Sequence, residues 1–273
     1  AGVESTRSLV GAFTAQVGRP SRVFIVGESM GGHITARAIE QDPRRYAGAM
    51  PVCGVLGDHD LFDYFLDFTL TAQVLSGQGG NYPPGPDYEA AVLPQIYAGL
   101  GLAPQNPAVT TPQAQQLRAA TVLDSGGVRP GADASFSFWK DFLLGLGVPS
   151  DEPTPVTGVA GDPGRVATNI RTDYAPDEPV NLDEVIQRVR TADPAARNSA
   201  RLTPVAQVFG RPRVPVLSLH GLGDLFVPFS MEQVYAAEVA DKGRSDLLVQ
   251  RAIRVTGHCE FSAVEAGTAW TTW

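Results

Sequence analysis

Arg22-Val23-Phe24-Ile25-Val26-Gly27-Glu28-Ser29-Met30-Gly31-Gly32 is the stretch from which the rest of the chain can be placed. Val23 to Val26 form a continuous apolar run of β-formers, which suits a strand buried on both faces. The run stops at Gly27-Glu28-Ser29-Met30-Gly31, a G-x-S-x-G pattern expected to form a sharp strand-to-helix turn that holds the serine hydroxyl clear of the sheet. Small residues two before and two after Ser29 let strand and helix pass close together while the serine takes a strained backbone conformation. Ile34, Ala38 and Ile39 then recur at helical spacing. The N-terminus of that helix points positive partial charge at whatever forms on Ser29, and the Met30 N–H is a natural oxyanion donor. So short a motif arises by chance, but rarely between an apolar β-run and a helix, and this context makes Ser29 a candidate nucleophile.

Working outward, Glu4 to Val17 reads as a helix with Leu9, Val10, Phe13 and Val17 on one face, ended by Gly18-Arg19-Pro20. Tyr46 to Cys53 reads as a second strand, and the alternation of helix and strand implies parallel pairing with right-handed crossovers. From Gly54 the texture changes. Residues 58–205 carry no convincing strand pattern but show amphipathic helical segments at 61–76, 87–99, 112–122, 135–146 and 182–199. Gly/Pro-rich joints at 77–85 and 148–153 separate them. An insertion of this size between strands is expected to be a helical cap over the carboxyl ends of the sheet. Strands resume at 214–219 and 247–255. Ser230-x-x-Gln233 and Ser262-x-x-Glu265 read as capping boxes that open the last two helices.

The chain's 273 residues allow one elaborated domain or two modest ones. A net charge of −8 with no Lys/Arg cluster argues against a nucleic-acid partner, and no apolar run approaches membrane-spanning length. The start Ala1-Gly2-Val3 has neither an initiator Met nor a signal-like segment, so an intact precursor is not expected. Two cysteines, Cys53 and Cys259, do not by themselves define a compartment.

Serine acyl transfer needs a base for the Oγ proton and a carboxylate to orient that base. There are four histidines. His33 falls in the helix after Ser29, His59 in the first loop of the insertion, His220 at the end of a strand and His258 in the loop after the last strand. The elbow Gly27–Gly31, the turn His220-Gly221-Leu222-Gly223-Asp224 and the Gly257-His258-Cys259 loop together resemble an α/β-hydrolase, from residue 3 to the chain's end. The approach Pro215-Val216-Leu217-Ser218-Leu219-His220, Val227-Pro228 and Gly257-His258-Cys259-x-Phe261 resemble secreted bacterial esterases and prolyl-oligopeptidase-like enzymes. So does the segment Asn181-Leu182…Val185-x-x-Arg188…Asp193-x-Ala195-Ala196. The chain order of that fold, serine, acid, histidine, makes Asp224 the acid and His258 the base. Asp58 is the alternative acid, since it also follows a strand. Helix capping accounts for Asp58 and Asp60 equally well, and the Asp58-His59-Asp60 cluster lacks a second histidine at metal-ligand spacing, so no metal is expected.

The resemblance implies an α/β fold with a mostly parallel sheet: a core over 1–57 and 206–273, a mainly helical cap over 58–205, and N-terminal strands missing. It implies hydrolysis of a small-molecule carboxylic ester through an acyl-enzyme, without a cofactor, in a secreted protein. A serine peptidase or amidase of the prolyl-oligopeptidase type would use the same triad, and the fold also occurs as a non-catalytic binding module. Cys53 leaves a strand beside the elbow strand and Cys259 follows the base, so both fall at the rim of the site, where a bond between them would tie the base loop to the sheet. His258-Cys259 is also similar to feruloyl esterases and tannases, whose bonded cysteines adjoin the catalytic serine and histidine, but here Glu28 precedes Ser29. The family's second oxyanion donor comes from a loop after an early strand, and nothing before residue 22 supplies it. The chain is therefore expected to be a fragment, with the Val23–Val26 edge bare.

Overall fold

Four β-forming stretches pair in parallel in the spatial order β1 (Phe24–Glu28), β2 (Gly48–Val52), β3 (Val216–Gly221) and β4 (Leu248–Ile253). The helices in chain order are α1 (Gly2–Gln16), α2 (Met30–Gln41), α3 (Asp60–Leu75), α4 (Leu93–Leu100), α5 (Pro112–Asp124), α6 (Ala132–Gly145), α7 (Leu182–Val185), α8 (Pro194–Arg197), α9 (Ser230–Asp241) and α10 (Ala263–Thr271). This is a computed structural model, and it describes residues 2–148, 166–197 and 207–272. The chain divides into two units, Ala1–Asp58 with Ala206–Trp273, and His59–Val205. Residues 149–153 of the joint expected at 148–153, residues 198–199 of the helix expected at 182–199 and the boundary at 205–206 lie outside the described residues. Among the described residues no helix is long and apolar enough to cross a membrane.

The first unit is a parallel sheet with helices on both faces. Alternation along the strands sends Ile25, Ala49 and Val216 to one face, where they pack with Ala36 and Ile39 of α2 and Tyr235 and Val239 of α9. Met50, Val52, Leu217 and Leu219 face the other way and pack with Ala269 of α10. Each Val, Leu, Ile or Met among them contributes about 1.5–3 kcal/mol on leaving water, and because a one-residue slip would turn these side chains to the wrong face, the two layers help to hold the strands in register. Register pairs Glu28 with Val52, Val52 with Leu219 and Gly221 with Ile253, so the strand exits share one carboxyl edge.

Two expectations about apolar faces are corrected. Strand β1 is buried on one face only: Ile25 is 5 % exposed, but Phe24 and Val26 are 41 % and 55 % exposed. It is an edge strand, as expected of Val23–Val26, with β2 as its one strand neighbour among the described residues, and over its outer face Phe24 meets the ring of Trp270 edge-on, 5.4 Å between centroids. Leu9, Phe13 and Val17 are likewise exposed, because α1 docks on the first unit through its other end, where Gly2 lies against the Ile34 side chain and Val3 joins the core.

The expected cap boxes differ in outcome. Ser262 does accept from the Glu265 N–H, and the Glu265 carboxylate accepts from the Ser262 N–H. Ser230 is no cap, because the helix begins earlier: the carbonyls of Pro228 and Phe229 already take the N–H groups of Met231 and Glu232.

The second unit is built around α3, which is buried along almost its whole length against α4, α5 and α6. The helix expected over 182–199 is instead two single turns, α7 and α8. Between them the backbone is drawn into bonds with Asn169: the Val189 N–H donates to the Asn169 side chain, the Asn169 N–H donates to the Val189 carbonyl, and the Asn169 amide donates to the Gln187 carbonyl. A buried side chain thus supplies the partners that helical bonds would have supplied.

Candidate active site

Ser29 sits where β1 turns into α2, with φ 55° and ψ −121°. Two contacts force the turn. A Cβ on Gly27 would overlap the Gly31 backbone, and one on Gly32 would lie 2.6 Å from the Cα of Gly54, so the helix can start this close to the sheet only over bare backbone. The Ser29 N–H donates to the Val52 carbonyl (2.9 Å), and its own carbonyl accepts from Gly32 (2.9 Å). Its hydroxyl makes no cap bond to α2. Met30 opens that helix, where an N–H has no intrahelical carbonyl to meet.

His258 and Asp224 are brought together. The turn after β3 buries Asp224 completely, and its Oδ1 accepts from the N–H groups of Phe226 and Val227, both at 3.0 Å. Oδ2 accepts from His258 Nδ1–H at 2.6 Å, which leaves Nε2 as the basic nitrogen of the ring. The Phe226 ring lies 4.9 Å from the imidazole, tilted 60°. Nε2 lies 3.5 Å from Cys259 Sγ, and among the described residues no hydrogen bond joins His258 to Ser29 Oγ. Such bonds are often long without substrate and tighten when it binds.

Asp58 is engaged elsewhere. Its Oδ2 accepts from the Val208 N–H (2.8 Å) and its Oδ1 lies 3.5 Å from His33 Nδ1, which donates to the Val55 carbonyl (2.7 Å). His59 Nε2–H donates to the Arg197 carbonyl. Among the described residues the donor atoms that cluster are those of Cys53, His258 and Cys259, within 4.8 Å of one another. Two of these are disulfide sulfurs, which are not thiolate ligands.

The Cys53–Cys259 bond joins Cα atoms 5.6 Å apart. It links the residue after β2 to the residue after His258. Val52, which precedes Cys53, receives the Ser29 N–H, so one hydrogen bond and one covalent bond tie the elbow to the base loop. Ser29, Cys53, Asp58 and Cys259 are four of the five described non-glycine residues with positive φ. Strain of this kind, on the order of 1–3 kcal/mol each, collects where geometry is set for function.

Residues behind the acid escaped the sequence reading. His220 and Glu232 are buried beneath Asp224, with His220 Nε2 3.9 Å from Asp224 Oδ2 and Nδ1 3.3 Å from Glu232 Oε1. The available signal was a histidine four residues before the acid and a glutamate on the apolar side of the next helix.

A cavity of about 270 Å³ lies wholly within the second unit, lined by Tyr64, Asp67, Phe68, Asp124, Thr172 and Tyr174 among others. Asp67 is buried, and burial first and then the Asp124 charge hold its carboxyl well above the usual range. Asp124 keeps exposed surface, and burial of its carboxyl followed by the charges of Asp63 and Asp60 pushes it up to about 7.

No family model matches the chain. A stretch of 67 residues is 40 % identical to the o-phthalyl amidase of Xanthobacter agilis, covering 24 % of this chain and 15 % of the amidase. Among solved structures, Est816, described as an N-acyl homoserine lactone degrading enzyme, is 14 % identical with a TM-score of 0.38, over 100 % of this chain and 73 % of that one. The rice cell wall degrading esterase LipA from Xanthomonas oryzae is 15 % identical with a TM-score of 0.35, over 98 % of this chain and 59 % of LipA. At that level of similarity the chemistry must be read from the residues themselves.

Proposed function

We infer from the α/β-hydrolase arrangement of its core that this chain is a serine hydrolase that cleaves a small-molecule carboxylic ester through an acyl-enzyme. The observation that carries the reading is the 2.6 Å bond from His258 Nδ1–H to a fully buried Asp224, at the same sheet edge as an elbow serine whose hydroxyl is not used for capping. His258 Nε2 takes the Ser29 Oγ proton as Oγ bonds to the ester carbonyl carbon, and the Met30 N–H donates to the resulting oxyanion. The intermediate collapses, the C–O bond to the alcohol breaks, and His258 returns the proton to the leaving oxygen. Water then attacks the acyl-Ser29 ester by the same route and releases the acid. Asp224 holds the ring orientation and stabilises the imidazolium. The disulfide fits a secreted protein.

Amide cleavage is a second reading, favoured by the 67-residue likeness to an amidase. Both use the same acyl-enzyme and differ in the leaving group. A panel of p-nitrophenyl esters set against aryl amides and aminoacyl anilides tests the choice: ester turnover at least tenfold above amide turnover is expected, and the reverse order transfers the assignment to an amidase.

A further inference from the structure

His220 is enclosed by protein, with none of its surface exposed, and both of its ring nitrogens face acceptors. Nε2 lies 2.8 Å from the Val227 carbonyl, an oxygen that can only accept. Nδ1 lies 3.3 Å from Glu232 Oε1. That carboxylate is already the target of two other donors, the Ser218 hydroxyl on Oε1 (2.5 Å) and the Gln250 amide on Oε2 (2.5 Å), while the Gln250 amide also reaches the Glu232 carbonyl (2.7 Å). With donors on both of its oxygens this carboxyl group faces Nδ1 as an acceptor, and Nδ1 then donates as well. Since a neutral imidazole carries one N–H and this one needs two, the neighbours specify the imidazolium.

The groups that meet His220 are Asp224 and the Val227 carbonyl on the turn, the Phe229 ring 6.0 Å away and edge-on, and Glu232 on α9, while Ala252 of β4 is its partner in the sheet. Among the described residues the charged groups within 4 Å of its nitrogens are Glu232 and Asp224. The direction of its titration agrees. Burial alone pulls the pKa down, but the bond and charge of Glu232, the Asp224 charge and the Val227 carbonyl outweigh that, and the net shift is upward.

We propose that His220 is a buried imidazolium, held between Glu232 and Asp224, that positions the catalytic acid by keeping Asp224 ionised with Oδ2 turned to His258. This rests on the serine-hydrolase reading above and extends it one layer inward. Charges then alternate through the core of the site, Glu232 negative, His220 positive, Asp224 negative, and His258 positive in the transition state. Oδ2 of a fully buried carboxylate would otherwise have the base alone to balance it, while Oδ1 has its two backbone donors.

The test uses the full chain labelled with ¹⁵N at histidine, of which there are four. Long-range ¹H–¹⁵N correlation spectra, assigned with His220→Gln, should show His220 protonated on both nitrogens at pH 7.5 in the parent and singly protonated in Glu232→Gln. A neutral His220 in the parent overturns the proposal whatever the substrate proves to be, and needs no variant beyond the assignment. The kinetic arm reads the acid limb of kcat/KM on a p-nitrophenyl ester. That limb is the protonation of His258, and loss of a positive charge behind Asp224 lets the imidazolium form more readily, so the limb should rise by about 1 pH unit in His220→Gln, with a similar rise in Glu232→Gln and no further rise in the double variant. A role in packing alone would lower activity at all pH values without moving the limb, and that outcome also overturns the proposal. Failure of the hydrolase reading is seen separately, as activity that survives Ser29→Ala, and the spectra then decide on His220 by themselves.

Discussion

Replacing both members of the Cys53–Cys259 pair by alanine should weaken the fold and the chemistry together, and the two losses can be sized separately. The bond spans a sequence separation of 206 residues, for which chain entropy alone predicts a stabilisation of about 5 kcal/mol. If the second unit stays folded inside the loop, roughly 60 residues of the first unit remain free to flex and the figure falls only to about 4 kcal/mol, because it depends on the logarithm of loop length. For a domain of this size that corresponds to a fall in Tm on the order of 10 °C. The chemical loss has another origin. Without the bond the His258 loop keeps the Asp224 hydrogen bond but loses its covalent tie to the strand whose Val52 carbonyl holds Ser29. A misplacement of about 1 Å can cost on the order of 10²-fold, so kcat should fall by at least tenfold while KM changes little. Thermal unfolding followed by circular dichroism, with ester turnover measured well below Tm, reads both, and the parent protein treated with a phosphine reductant provides an independent comparison. A shift in Tm below about 2 °C together with unchanged kcat would refute the reasoning, because it would mean the bond neither restricts the unfolded chain nor fixes the base.

Three further outcomes follow from the geometry. Asp224→Asn should lower kcat by about 10⁴-fold, as the loss of the orienting acid does in other triads, whereas Asp58→Asn should leave ester turnover within a few-fold, since that carboxylate bonds Val208 and neighbours His33. Gly27→Ala should destabilise the protein by about 2 kcal/mol or more in urea titration, because its methyl group meets the Gly31 backbone rather than a side chain able to move. Asp124 has a folded pKa of about 7, raised by burial and then by Asp63 and Asp60. The folded state therefore holds that proton more tightly than the unfolded chain, and the associated stability is complete below about pH 4 and lost as pH rises through 7. Asp124→Asn should accordingly have a higher Tm than the parent at pH 8, with the difference closing at pH 4.

The features legible in the sequence were those written in local chemistry. An apolar β-run that ends in Gly27-x-Ser29-x-Gly31 fixes both strand and turn, and three later apolar runs mark the remaining strands to within two residues or so at most ends. The Ser262 capping box was equally local. What escaped depends on neighbours distant in sequence. The 182–199 stretch has helical composition, but Asn169 offers it better partners. Ser230 has capping chemistry, yet the Pro228 carbonyl arrives first. In the candidate site Asp224 and His258 were chosen by their order along the chain, and the structure puts them in contact. His220 and Glu232 were passed over because a buried charge pair is defined by its enclosure, and twelve residues of separation conceal that enclosure.

The central claim is that Ser29 is the nucleophile. Incubation of the full chain with a fluorophosphonate probe, followed by peptide mass spectrometry, tests it most directly. The account predicts a single stoichiometric adduct on Ser29, formed far more slowly in Asp224→Asn and absent in Ser29→Ala, which should also lose ester hydrolysis. An adduct on another residue, or hydrolysis that persists in Ser29→Ala, would contradict it.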